Sequence, residues 1–127
     1  MENEVNESFE ILLAACQTAD SNLAVAYKQL RDLLERLCRA QMQDESLQMT
    51  DLSARISFVS ARAGLTIVEQ NRLHTFRLTS NAILNRKEEP VREKLLRDAK
   101  TLAFFIRKLY EVELPGELYH LLPRAAA

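Results

Sequence analysis

LAVAYKQLRDLLERLCRAQM, residues 23–42, decides the fold. Leu23, Tyr27, Leu30, Leu33, Leu34, Leu37 and Met42 recur at steps of three and four, the period of one helical face. Arg31, Asp32, Glu35, Arg36 and Arg39 fall largely outside that face. A helix this amphipathic needs partners of the same kind, and the rest of the chain supplies them. Two glycines, three prolines and no tryptophan in 127 residues, with 47% apolar side chains, are the composition of an all-helical protein with one core.

Upstream, Val5, Phe9, Leu12, Leu13 and Cys16 mark a first amphipathic segment, and TADSN at 18–22 supplies capping residues for a break, with a kink as the alternative. Downstream of the polar QDESLQMTD, Thr50 or Asp51 is placed to cap a shorter helix. Its inward residues are Leu52, Ile56, Val59 and Ala63, and Gly64 stops it. Thr66-Ile67-Val68-Glu69 has the form of a capping box, in which side chain and backbone satisfy each other's free donors, and so starts the next helix, which runs to about Arg86. After NRKEEP, Pro90 suits the first turn of a last long helix. Val91, Leu95, Ala99, Leu102, Phe105, Leu109 and Val112 keep its phase until Leu114-Pro115-Gly116. The expectation is one domain over 1–127, an all-α, up-and-down bundle of four to five helices, with 115–127 a partly frayed tail. Its core is Leu30, Leu34, Leu37, Ile56, Val59, Phe76, Ile83, Leu102, Phe105 and Leu109.

Cys16 and Cys38 lie inside helical patterns without CxxC or Cys/His spacing, so they read as reduced core thiols and point to a cytoplasmic protein. No apolar run approaches the ~20 residues that cross a bilayer, so no membrane partner is expected. There is no phosphate-binding glycine loop, dinucleotide fingerprint or HExxH, no cofactor or metal is expected, and His120 reads as a surface residue. Charge is uneven along the chain. Residues 1–71 carry 6 basic and 11 acidic side chains, 72–108 carry 10 and 4, and 109–127 carry 1 and 3. The basic stretch is either a set of ordinary solvated faces or a surface for an anionic partner such as nucleic acid.

Inside that stretch, LHTFRLTSNAILN at 73–85 combines an apolar arc of Leu73, Phe76, Ile83 and Leu84 with a polar stripe of His74, Arg77, Asn81 and Asn85. At ~100° per residue the four stripe residues fall within about 80° of one another, roughly 110° from the centre of the apolar arc. Leu78 and Ala82 border the stripe on its far side, which suits a second buried contact. The other reading is that His74 and the asparagines bond neighbouring backbone and loops within a monomer.

The order of segments and this motif resemble the HEPN superfamily, in particular a branch often attached to restriction and helicase proteins, over about residues 20–114. The family pattern, Leu-His-x-Ile-Arg, three residues, Asn, three residues, His, is matched at Leu73, His74, Arg77 and Asn81, with Asn85 in place of the terminal His. The resemblance implies a homodimer and a metal-independent endoribonuclease, in which Arg stabilises phosphate charge and the terminal His moves protons. Asn85 cannot titrate near neutrality. His74 lies about 16 Å along the helix from it, too far to replace it within one subunit. The expectation is therefore a HEPN-like dimerisation and interaction module without catalysis, an N-terminal accessory domain of a nucleic-acid-processing or defence protein. Two alternatives stand beside it: an endoribonuclease using Arg77 with His74 supplied across a dimer, and a plain helical adaptor that binds a protein partner.

Overall fold

The computed structural model describes residues 2–42 and 51–122, in which six helices and no strand form. They are α1 (Glu2–Thr18), α2 (Leu23–Gln41), α3 (Leu52–Ala63), α4 (Ile67–Leu84), α5 (Arg92–Tyr110) and α6 (Gly116–Leu121). The all-α bundle read from the sequence is the fold, with the tail adding a sixth, short helix.

α2 is the central element and packs against α1, α3, α4 and α5. Its stripe is sealed: Tyr27, Leu30, Leu33, Leu34, Leu37 and Cys38 are buried, whereas Leu23 and Met42 at its ends are half-buried. The break before it is a turn at Thr18–Asn22, where Asn22 N–H donates to the Thr18 carbonyl (2.8 Å) and Val25 N–H donates to Asn22 Oδ1 (3.2 Å). Burying side chains of this size contributes roughly 1.5–3 kcal/mol each. Tyr27 also makes a polar link from α2 to α5, its hydroxyl donating to Asp98 Oδ2 at 2.9 Å, while its ring stacks on Phe76 of α4 at 6.2 Å between centroids. Three helices thus meet at Tyr27.

Of the ten expected core residues, nine are buried and Leu109 is half-buried against them. Several boundaries differ from the sequence reading. α4 ends at Leu84, and Arg86 already has φ 59°, outside the helix. Leu84 is 39% exposed, because Ile83 takes the inward position and Leu84 lies ~100° round from it. Pro90 precedes the N-cap of α5, Val91, which is itself exposed. α5 stops at Tyr110 and not at Leu114, because Glu111 turns the chain with φ 53°. Asp51 caps α3, its carboxylate accepting from Ser53 N–H at 3.0 Å; the alternative cap, Thr50, lies outside the described residues. The start of the expected tail is α6, which packs on α1 and buries Leu118, followed by the buried Leu122.

No helix among the described residues is long and apolar enough to cross a membrane. Cys16 and Cys38 are free and buried, and burial pushes their thiols up to about 11 and about 12.

Candidate functional site

α3 and α4 are joined by a tightly specified corner. Gly64, with φ 75°, allows its own N–H to reach Ala61 O (3.3 Å) and Leu65 N–H to reach Ser60 O (3.0 Å), the paired bonds of a Schellman ending. Two residues on, the capping box forms: Thr66 N–H donates to Glu69 Oε1 at 2.8 Å and Glu69 N–H to Thr66 Oγ1 at 3.2 Å. With both helix ends fixed, α4 folds back along α3.

That placement brings Ser57 to His74. Ser57 Oγ lies 3.1 Å from His74 Nε2, and Gln70 Nε2 donates to the same hydroxyl at 3.4 Å. Burial, and then the positive charge of Arg77, hold the half-exposed imidazole below its ordinary pKa, so its neutral form is favoured. A consistent arrangement has the Ser57 hydroxyl accepting from Gln70 and donating to an unprotonated Nε2. Among the described residues no carboxylate is bonded to the pair, so nothing orients His74 as a base toward Ser57.

Arg77 is half-buried and forms no ion pair with the described residues; its Nε is enclosed without a hydrogen-bond partner. Its carbonyl is the anchor beside it, accepting from Ser80 Oγ (3.0 Å) and from Arg31 Nη1 (3.5 Å), while Arg31 Nη1 also donates to Ser80 Oγ at 3.2 Å. Asn81 is half-exposed. Asn85 is the exposed C-cap of α4, and its N–H donates to Asn81 O at 3.0 Å. The four stripe residues therefore have different surroundings: His74 docks on α3, the backbone carbonyl of Arg77 is tied to Arg31 of α2, and Asn81 and Asn85 lie toward the helix end.

Sequence reasoning missed Ser57, Gln70, Arg31 and Ser80. A signal for the first was present: Ser53, Ser57 and Ser60 are spaced i, i+4, i+7, which makes one hydroxyl-bearing face on α3.

The outer face of α4 carries a second pattern. Ile67, Asn71, His74, Leu78, Asn81 and Asn85 follow one another at steps of four and three, within about 80° of one another and opposite Phe76. Ile67 is 78% and Leu78 58% exposed. The basic excess of 72–108 is partly matched locally, by Arg92 with Asp20 (3.0 Å), Lys94 with Glu88 (3.4 Å) and Arg107 with Glu113 (3.5 Å). Arg72, Arg86 and Lys87 are exposed and unpaired among the described residues.

Comparison with known proteins adds no relative to this geometry: no family model, curated protein or solved structure matches the chain.

Proposed function

We propose that this protein is a HEPN-like helical module that pairs with a second copy through the outer face of α4 and does not cleave RNA. The supporting observation is the outer seam Ile67–Asn71–His74–Leu78–Asn81–Asn85, in which Ile67, Asn71, Leu78 and Asn85 are exposed and His74 and Asn81 half-exposed. Its steps are those of a helix that packs along another, and it is self-complementary: in an antiparallel pair centred on Phe76, Ile67 meets Asn85, Asn71 meets Asn81 and His74 meets Leu78 of the other copy. Two asparagines facing each other exchange amide hydrogen bonds, which fixes register, while Leu78 supplies apolar area.

The absence of catalysis rests on chemistry. Asn85 carries no titratable group, and His74 is engaged with Ser57 and has no orienting carboxylate among the described residues. Homodimerisation, the HEPN relationship, an accessory place in a nucleic-acid-processing or defence protein, and a cytoplasmic location belong to this reading. Arg77, without an ion-pair partner among the described residues and next to a His74 held in its neutral form, keeps the endoribonuclease as a second reading, with RNA as its substrate.

Light scattering at tens of micromolar separates these. The dimer reading expects twice the 14.6 kDa chain mass, reduced to the single mass in Leu78→Glu without loss of helicity. A stable pair of this kind buries more than about 1,200 Å² in total. A monomeric wild type would sink it. Incubation with single-stranded RNA and EDTA addresses the chemistry: no cleavage is expected, and cleavage lost in Arg77→Ala would install the endoribonuclease instead.

A further inference from the structure

A groove lies between α1, the C-terminal end of α5 and the start of α6. Glu111 turns the chain sharply out of α5, and Pro115 starts α6, which packs back on α1. The link between them stands off the N-terminal half of α1 and leaves two adjoining cavities of about 530 and 220 Å³, which share Asn6, Phe9 and Pro115. The larger falls in the ~300–1,000 Å³ range of pockets that enclose small ligands and side-chain anchors. Its floor is apolar, from Val5, Phe9, Leu109, Val112 and Leu114. The acids are on its margins: Glu111 and Glu113 line the larger cavity, Glu10 and Glu117 the smaller, and among the described residues no Lys or Arg lines either. Of these four, only Glu113 has an ion-pair partner among the described residues, Arg107 at 3.5 Å.

We infer that this groove binds a short amphipathic peptide segment of another protein, with large apolar side chains on one face and Lys or Arg on the other. The charge decides the occupant. Nucleic acids and fatty acids are anionic and are repelled by the glutamates. A second copy presenting its α4 seam brings amides and aliphatic groups but no cation to meet them. A basic amphipathic peptide satisfies both halves of the groove, burying its apolar side chains against Val112 and Phe9 while its cations reach the carboxylates. This inference is independent of the α4 pairing.

The test uses a fluorescein-labelled twelve-residue helical peptide of Leu and Lys, followed by anisotropy on the full chain. Saturable one-to-one binding at micromolar concentration is expected, weakening as salt shortens the reach of the charges. Glu111→Lys/Glu117→Lys should lose about tenfold in affinity or more, and Glu111→Gln/Glu117→Gln about threefold, whereas Glu89→Lys/Glu93→Lys, away from the groove and of the same net charge as the first variant, should stay within about twofold. Equal losses in the two Lys variants would reduce the effect to general attraction and overturn the site. So would equal binding of a Ser/Lys peptide, which lacks apolar anchors, or of a Leu/Glu peptide. No saturable binding of the Leu/Lys peptide overturns it too, as does a dimer that the groove variants alone convert to monomer, which would make the occupant a second copy.

Discussion

Along α2 and α5, Tyr27, Leu30, Leu34, Leu102 and Phe105 are almost completely enclosed, and the Tyr27 hydroxyl bonds Asp98 within that packing. Between α3 and α4, Ser57, Gln70 and His74 meet through hydrogen bonds that remain half open to solvent. The first interface derives its stability from area removed from water, the second its alignment from a few directed bonds. Their polar groups also respond to pH in opposite senses. Burial raises the pKa of Asp98 against the pull of Tyr27, Lys94 and Arg97, whereas burial and Arg77 lower that of His74.

The strongest way to break the comparison is on α4, which takes part in both kinds of contact. Phe76→Ala removes a fully buried ring stacked on Tyr27 and should cost ~3–5 kcal/mol in denaturant unfolding. Leu78→Ala, two residues on and exposed in the single chain, should stay within ~0.5 kcal/mol when unfolding is followed at a dilution where the chain is monomeric. Equal effects would mean that the inner and outer faces of α4 are not as described.

Next in size is Tyr27→Phe, which leaves the Asp98 carboxylate without its donor and should cost ~1–3 kcal/mol at neutral pH. The carboxyl's folded pKa lies above its unfolded one. The stability it contributes is therefore complete below the ordinary value of 3.8 and is lost as pH rises through the folded value. Asp98→Asn, which keeps an oxygen acceptor for Tyr27, should raise the thermal midpoint relative to wild type more at pH 7 than at pH 3.

A smaller pair of substitutions compares two helix ends. Gly64 and Arg86 both sit in the left-handed region, φ 75° and 59°, and both end a helix with the same two bonds; at Arg86 these run from Arg86 N–H to Ile83 O and from Lys87 N–H to Ala82 O. Only the first has the residue that occupies this region without steric cost. Gly64→Ala should cost ~1–2 kcal/mol through backbone strain, since the added methyl meets no neighbour within 4 Å, and Arg86→Gly should gain up to ~1 kcal/mol. Chemical denaturation measures both signs.

The smallest effect concerns His74. Its folded pKa lies below 6.5, so its contribution is present above 6.5 and is lost as pH falls through the folded value. His74→Gln should flatten the wild-type decline in thermal midpoint between pH 7 and pH 5; an unchanged slope would assign that decline to other groups.

The contrast also explains what could be read from residues alone. α2 declared itself because its inner face is uniformly apolar, and the α3–α4 corner because Gly64 and the Thr66–Glu69 box are local signals. The inner face of α4 was harder: Thr79 and Ser80 are buried there, and counting apolar residues placed Leu84 inside in their stead. A buried serine is tolerated when its hydroxyl bonds the preceding turn, as Ser80 does to Arg77 O, and that depends on a partner, Arg31, 49 positions away. The end of α5 had no local mark, since the residue that turns the chain is Glu111 and not a glycine. In the candidate site, His74 and Arg77 were legible as a spacing. Ser57, Gln70 and the distinct surroundings of the four stripe residues follow only from how α3 lies on α4.

The two enclosed thiols give this chain a pair of internal clocks. Thiol reagents attack the thiolate, and with the thiols raised to about 11 and about 12 and sealed from solvent, reaction near neutrality requires the chain to open. Cys16 sits on α1, which closes the bundle from outside, and Cys38 on α2, which every long helix touches. In versions keeping one cysteine each, labelling at Cys16 times the lifting of α1, and labelling at Cys38 times the loss of the whole bundle. The ratio of the two rates measures how far the outer helix moves independently of the rest.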